Sequence, residues 1–329
     1  MMTKPNRKTI EVTFEEISSD LAALINASSS PREFLHLCAS LVNEIVPRPE
    51  IVNLIITGNF IFSTQKRLDD TPVAKSFNLS RGEGIVGGKT LRLGEESYAI
   101  LLHASLFELS LDYEANADIT ISFLKILAHE SNHVSMHQRG ESSVFLEGRN
   151  SKLASLYSVA NAIIDEYRAE LGALQQIPIE APEWHPDQIS CWLEKALIDV
   201  VIKYQQHLDV DRLVLDVGSQ VSIALKQLAY CVAYENESGK NTPIHLDDLR
   251  YENTQVHFGH WFESFRHTLT SLPPGDSSFS RQDALKTIET LSKVLDDYLR
   301  IVGFDWDEPM FTIKKDFLAF LRLFCYRRQ

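Results

Sequence analysis

The stretch of sequence that decides the fold is residues 119–137, Ile-Thr-Ile-Ser-Phe-Leu-Lys-Ile-Leu-Ala-His-Glu-Ser-Asn-His-Val-Ser-Met-His. Its apolar residues recur at the spacing of one face of an α-helix. Asn116 and Asp118 are residue types that cap helix starts, and no Gly or Pro interrupts the pattern before Gly140. The sequence therefore predicts a long helix here.

Within this helix, residues 129–133 match the metal-binding motif H-E-x-x-H. His129 and His133 are four residues apart, so both imidazoles project from one helical face and can converge on one ion. Glu130 projects beside that ion, where a carboxylate can take a proton from water. In a chain with 11 His among 329 residues, the motif arises by accident only ~0.03 times. The alternative is a surface helix with three histidines, since His137 continues the row.

A second predicted helix, residues 150–175, carries Glu166 and Glu170. A carboxylate from a following helix is what a His₂Glu zinc site requires as its third ligand. Together the two helices resemble the gluzincin group of zinc metallopeptidases, in which HExxH precedes a Glu that often begins an E-x-x-x-D pattern. This sequence departs from the pattern because Glu170 stands where the Asp is expected.

The resemblance implies a zinc-dependent peptidase, with Zn²⁺ held by His129, His133 and Glu166. Glu130 would be the catalytic general base that activates water for peptide hydrolysis. Helix geometry alone allows either Glu166 or Glu170 to face the histidines, and the family pattern favours Glu166. Glu170 would then accept a hydrogen bond from a ligand imidazole, as an outer partner of the metal.

A glycine-rich stretch, residues 81–89, reads Arg-Gly-Glu-Gly-Ile-Val-Gly-Gly-Lys. It lacks the spacing and context of a phosphate-binding loop, and we interpret it as a flap or a hairpin connection. It is also similar to the glycine-rich turn of GAF sensory domains. The alternative function is therefore a non-enzymatic, GAF-like ligand-binding module with a helical partner-binding half. A helical scaffold with inert histidines is a second alternative.

The remaining patterns predict an α+β fold that is predominantly α-helical, with a small antiparallel sheet packed on the HExxH helix and a helical bundle after it. The N-terminal elements are predicted as helices at 10–27 and 31–46, a hairpin at 51–63, and strands at 98–103 and 106–111. Further helices are predicted at 189–204, 215–234, 246–269, 284–302 and 311–323. The prolines of residues 177–187 indicate a linker, which separates a zincin-like domain (1–178) from an all-helical domain (179–329).

Composition restricts the partners. The formal net charge of -13 gives no general attraction for nucleic acid or anionic membranes. The first 13 residues contain no apolar signal region, and the four cysteines are scattered, as in reduced cytoplasmic proteins. We expect a protein or peptide substrate, and a protein partner for the C-terminal helical half.

A row of His257, His260, Glu263 and His267 in one predicted helix is interpreted as a surface histidine row rather than a second metal site.

Overall fold

The structure is a computed structural model that describes residues 10–68, 80, 81, 84–94, 96–141, 151–180, 186–239, 260–307 and 310–313. Within these residues the protein is predominantly helical and contains a small sheet, so the predicted α+β class is confirmed. A membrane-spanning helix needs a long uninterrupted apolar run, and none of the helices in the described ranges contains one.

The strands and helices are numbered in chain order. The strands are β1 (Glu11–Glu15), β2 (Val52–Thr57), β3 (Ser80–Arg81), β4 (Gly84–Ile85), β5 (Gly88–Arg92), β6 (Tyr98–His103), β7 (Phe304–Asp307) and β8 (Met310–Ile313). The helices are α1 (Ser19–Ala27), α2 (Ser30–Ile45), α3 (Phe60–Arg67), α4 (Ala104–Ser110), α5 (Ala117–Gln138), α6 (Ser151–Gln176), α7 (Pro186–His207), α8 (Val210–Ser238), α9 (His260–Thr270) and α10 (Arg281–Ile301). The HExxH helix is α5, and the helix that carries Glu166 and Glu170 is α6.

The chain forms two compact units that alternate along the sequence. The first comprises Met1–Gly140, Ala169–Glu180 and Pro274–Ser278, and the second comprises Glu141–Arg168, Ala181–Pro273 and Phe279–Gln329. Helix α6 belongs to both, because it enters the first unit at Ala169. The predicted boundary between residues 178 and 179 concerns independently folding domains and stays a prediction.

The sheet of the first unit has the strand order β1-β2-β6-β5. Strands β1, β2 and β6 are parallel, and β5 is antiparallel to β6. The predicted antiparallel arrangement therefore holds only for the β5–β6 pair, and the sheet is mixed. Parallel pairing of β1 with β2 requires a crossover connection, which α1 and α2 provide.

Side chains of β2 and β6 alternate between two apolar cores, as expected for strands buried on both faces. The larger core lies between the sheet and helices α2 and α5, and receives Leu54, Ile56, Ile100 and Leu102 from the strands and Phe123, Leu127 and Val134 from α5. The smaller core, on the other face, contains Ile55, Ala99 and Leu101 together with Phe60 of α3. Helix α5 thus packs on the sheet, as the sequence predicts.

Helices α5 and α6 approach each other closely at Asn132 and Gly172. A Cβ atom at Gly172 would lie 2.4 Å from Oδ1 of Asn132. Asn132 is fully buried, and its Nδ2 donates a hydrogen bond to the carbonyl of Ala128 at 3.0 Å. Glycine is therefore required where the second helix passes the motif.

The second unit is built mainly from α7 to α10. Helix α8 begins at Asp209, whose side chain accepts a hydrogen bond from the backbone N–H of Arg212, and ends at Gly239 with a φ of 63°. Trp261 of α9 packs on Tyr298 of α10 with ring centroids 4.1 Å apart. This ring contact joins α9 to α10.

The all-helical prediction for residues 179–329 is wrong at the antiparallel pair β7–β8. The helix predicted at 311–323 begins inside β8, and residues 314–329 lie outside the described residues. The sequence of β7, Phe-Asp-Trp-Asp, alternates apolar and acidic residues with the period of a strand.

The helix predicted over residues 10–27 is also wrong in its first part. Residues 11–15 form β1, and the helix begins only at Ser19. Glu16 has a positive φ of 49°, which interrupts the helical path, and the Ser18 side chain caps α1. Pairing with β2 outweighs the local helical pattern, as is common for segments that can join a sheet.

Two predicted strands are helices. Phe60 to Phe62 were predicted as the second strand of a hairpin and instead begin α3. The side chain of Asn59 accepts a hydrogen bond from the Phe62 N–H at 3.2 Å and so caps the helix.

Residues 106–111, predicted as a strand, lie mostly in α4, where Phe107 is buried and Leu109 is exposed. Short apolar runs fit either structure.

We expect Gly172→Ala to lower the free energy of unfolding by ~1–3 kcal/mol, because the new methyl group overlaps the buried Asn132 amide. The matched control is Gly218→Ala in α8, where a Cβ meets nothing within 4 Å. That variant should gain roughly 0.5–1 kcal/mol from helix propensity alone. Chemical denaturation of both variants measures the difference. A Gly172→Ala protein as stable as the control would contradict the close approach of α5 and α6.

Candidate metal centre

Helix α5 places the two motif histidines side by side. The Nε2 atoms of His129 and His133 lie 3.2 Å apart, and the His129 side chain is only 12% exposed. Two nitrogen ligands of one tetrahedral zinc ion, each bound at ~2.05 Å, are separated by roughly 3.3 Å. The separation fits a shared ion, and it is equally the length of a direct hydrogen bond between the two rings.

Glu170 of α6 fixes the orientation of His129. Its Oε2 lies 2.9 Å from Nδ1 of His129. Because the carboxylate is ionised it can only accept, so Nδ1 carries the proton of this hydrogen bond, and Nε2 is the ring nitrogen that could bind a metal. Glu170 thus makes the contact with a motif imidazole that was expected of it, and its role as an outer partner of a metal stays a prediction. The same arrangement orients histidines in metal sites.

The charge of Glu170 is balanced by Lys125. The Nζ atom of Lys125 lies 2.7 Å from Oε1 of Glu170, and both side chains are less than 10% exposed. Burial alone raises the pKa of the Glu170 carboxyl, but Lys125 and His129 outweigh it and lower this pKa to about 2. Glu170 is therefore a carboxylate across the physiological pH range.

Glu166 lies one helical turn before Glu170 on α6. One carboxylate oxygen of Glu166 and one ring nitrogen each of His129 and His133 all lie within 4.8 Å of one another. Lys226 Nζ lies 3.2 Å from Oε1 of Glu166, and the hydroxyl of Tyr230 donates to Oε2. The structure thus brings together the three residues that the sequence proposed as ligands.

Lys226 and Tyr230 are site residues that sequence reasoning missed. They lie four residues apart on α8, so both reach Glu166 from one helical face. Nothing in the local sequence distinguishes them from an ordinary surface pair, because their shared partner lies 60 or more residues earlier in the chain.

The donor set of this group fits a zinc ion. Zinc in proteins is typically held by imidazole nitrogens and carboxylate oxygens, with three protein ligands at catalytic sites. His129 and His133 offer the nitrogens and Glu166 the oxygen, while the Glu170 contact occupies Nδ1 of His129, so that Nε2 is the ring nitrogen that could bind a metal.

Gly87 and Gly88 of the glycine-rich stretch lie against the motif helix. A Cβ atom at Gly88 would lie 2.9 Å from Cγ of Glu130, and one at Gly87 would lie 2.6 Å from Cδ1 of Ile126. Thr90 Oγ1 donates to the Glu130 carbonyl at 2.8 Å. Gly87 and Gly88 therefore let β5 run close to α5, which is a structural role rather than that of a free flap.

His137, one turn beyond His133, is partly buried. Its Nδ1 atom has no hydrogen-bond partner among the described residues. Burial lowers its pKa to about 4, and the neighbouring side chains of His133, Arg92 and Lys89 act in the same direction. His137 is therefore a neutral histidine at physiological pH.

The described residues include only part of the second histidine row. His257 lies outside the described residues, and only the backbone of His260 is described. Glu263 pairs with Arg266 at 2.8 Å, and His267 is exposed. Its interpretation as a surface row stays a prediction.

No protein-family model, curated protein or solved structure matches this chain.

We expect the wild-type protein to retain about one zinc ion per chain during purification without a metal-affinity tag. Glu166→Gln should lose zinc or bind it at least ~10-fold more weakly, since an amide is a poor substitute for a charged ligand. Asp165→Asn, a carboxylate-to-amide change at the preceding position, is the matched control and should bind zinc normally. Chelator competition on the purified proteins measures the affinities. Equal affinities for both variants would remove Glu166 from the site.

We expect the stability of the metal-free protein to fall between pH 6.5 and 4. A buried histidine with a lowered pKa stays neutral in the folded state while the unfolded chain takes up a proton, so stability is full above pH 6.5 and is lost as the pH falls towards 4. The pKa change of His137 corresponds to at most ~3 kcal/mol. Unfolding free energies at pH 7 and 4.5 should therefore differ less in His137→Leu than in the wild type. A control variant at the exposed His267, His267→Leu, should behave as the wild type does. Identical pH dependence in all three proteins would contradict a buried neutral His137.

Proposed function

We propose that this protein is a zinc-dependent peptidase. The observation that carries the proposal is the group of His129, His133 and Glu166, whose ligand atoms lie within 4.8 Å of one another on two adjacent helices. The hydrogen bond between Glu170 and His129 supports it, because such outer partners accompany metal-binding histidines.

In this proposal zinc, when bound by the three residues, supplies a Lewis acid that acidifies water and polarises a carbonyl oxygen. Glu130 accepts the proton of the attacking water at its carboxylate and returns it to the leaving amine. The Glu130 side chain is buried against Gly88, which limits its movement. Lys226 and Tyr230 hold the carboxylate of Glu166.

The sheet supports a peptide as the substrate. Strand β6, which precedes the motif helix, lies inside the sheet, whereas β5 is the last strand of the described order. An edge strand offers main-chain hydrogen bonds to an extended peptide. Strand β5 also contacts Glu130 through Gly88 and Thr90, so a peptide aligned with it would pass the proposed general base.

The GAF-like ligand-binding module remains the alternative. That function requires no metal, and close packing of Gly87 and Gly88 on α5 accounts for the glycine-rich stretch that suggested it. Metal content distinguishes the two functions, because only the peptidase requires stoichiometric zinc.

The cytoplasm remains part of the proposal as the compartment. Cys38 and Cys231 are buried free thiols and Cys191 is an exposed one, which suits a reducing environment. A protein partner for the C-terminal helical half likewise stays a prediction.

We expect Glu130→Gln to keep zinc and fold while peptide hydrolysis falls by ~10²–10⁴-fold, because the amide cannot accept the proton from water. The probe is a mixture of unstructured peptides, with cleavage products detected by mass spectrometry. The matched control is Glu108→Gln, at an exposed position of α4, which should cleave as the wild type does. Wild-type turnover by zinc-loaded Glu130→Gln would show that Glu130 is not the base.

A further inference from the structure

Lys125 is an unusual residue for the interior of a protein. It lies on the motif helix α5, one turn before His129, and its residue exposure is only 3%. Lysine is almost never fully buried unless it is paired. Lys125 is paired with Glu170 at 2.7 Å. Because the pair lies in the interior, it does not serve to keep a charged side chain in water, and we look for another role.

The carboxylate of Glu170 bridges two residues of α5. Oε1 accepts from Lys125 and Oε2 accepts from His129. Because Lys125 and His129 are four residues apart, they face α6 from the same side of their helix. One carboxylate thus links a buried ammonium group to the first imidazole of the motif.

We propose that Lys125 is a positioning residue of the metal centre, which acts through Glu170 to hold the His129 ring with Nε2 directed towards His133. The inference rests on the proposed function, since it assigns His129 to a metal. A carboxylate that makes one hydrogen bond rotates readily about its terminal torsion. A second bond, from Lys125 to the other oxygen, fixes the plane of the carboxylate and with it the acceptor for His129 Nδ1.

Stability alone does not explain a buried pair of this kind. Replacing both members of a buried ion pair by apolar residues is often neutral or stabilising, whereas removing one member is destabilising. The positioning role therefore predicts that stability and zinc affinity respond differently to the loss of the pair. Removing both charges leaves the fold intact and still weakens the metal centre.

The experiment is a double-mutant cycle on the full chain, with Zn²⁺ affinity measured by competition with a chromophoric chelator and stability measured on the metal-free proteins. The variants are Lys125→Met, Glu170→Met and the combination. The control is Lys152→Met, which removes a different lysine–carboxylate pair, with Asp296. Lys125→Gln is a second variant at position 125. Its amide ends one atom short of the Lys125 Nζ position, so it cannot replace the ion pair with Glu170.

We expect Lys125→Met and Glu170→Met each to weaken zinc binding by ~10–100-fold, the loss typical of an outer partner. The double variant should fold and bind zinc no more weakly than Glu170→Met, because Lys125 acts only through Glu170. Lys152→Met should bind zinc normally. If Lys125→Met does not fold, Lys125→Gln should show the same loss.

Three results would overturn the inference. A folded Lys125 variant that binds zinc as tightly as the wild type removes the positioning role and leaves the proposed function standing. A double variant whose loss is the product of the two single losses shows that Lys125 does not act through Glu170. A wild-type protein that binds no zinc overturns both the inference and the proposed function.

Discussion

The buried carboxylate of Glu170, bonded at once to Lys125 and His129, is the contact on which the geometry of the centre depends. It sets the rotation of α6 against α5, because both of its partners lie on one face of α5. Half a turn further along α6, Gly172 admits the close contact with Asn132. Glu166 lies one helical turn before Glu170 on the same helix.

The polar groups of the centre are arranged by their partners rather than by exposure to water. Glu170 contacts Nδ1 of His129, and the Nε2 atoms of His129 and His133 lie 3.2 Å apart. Lys226 and Tyr230 engage Glu166. Rigid second partners of this kind hold catalytic groups in a productive geometry before substrate arrives. These contacts are the observations on which we propose a metal centre at this position.

Sequence reasoning succeeded where one helix determines the outcome. The i, i+4 pair of His129 and His133 and the spacing of Glu166 and Glu170 follow from helical periodicity. The choice of Glu170 for the contact with an imidazole came from the resemblance to gluzincins, because periodicity allowed either glutamate. The sequence-based predictions of secondary structure failed where a segment's structure depends on pairing or capping contacts. Strand β1 forms because β2 accepts it, and α3 begins where Asn59 caps it. The burial of Lys125 could not be seen, because a lysine at that position normally indicates a solvated face.

The central claim is that two imidazoles and a carboxylate hold one zinc ion, and zinc X-ray absorption spectroscopy of the metal-loaded protein tests it directly. The account predicts a first shell of nitrogen and oxygen atoms at ~2.0–2.2 Å, with the outer-shell scattering of two imidazole rings. A shell that contains sulfur at ~2.3 Å, or one without imidazole scattering, would contradict it.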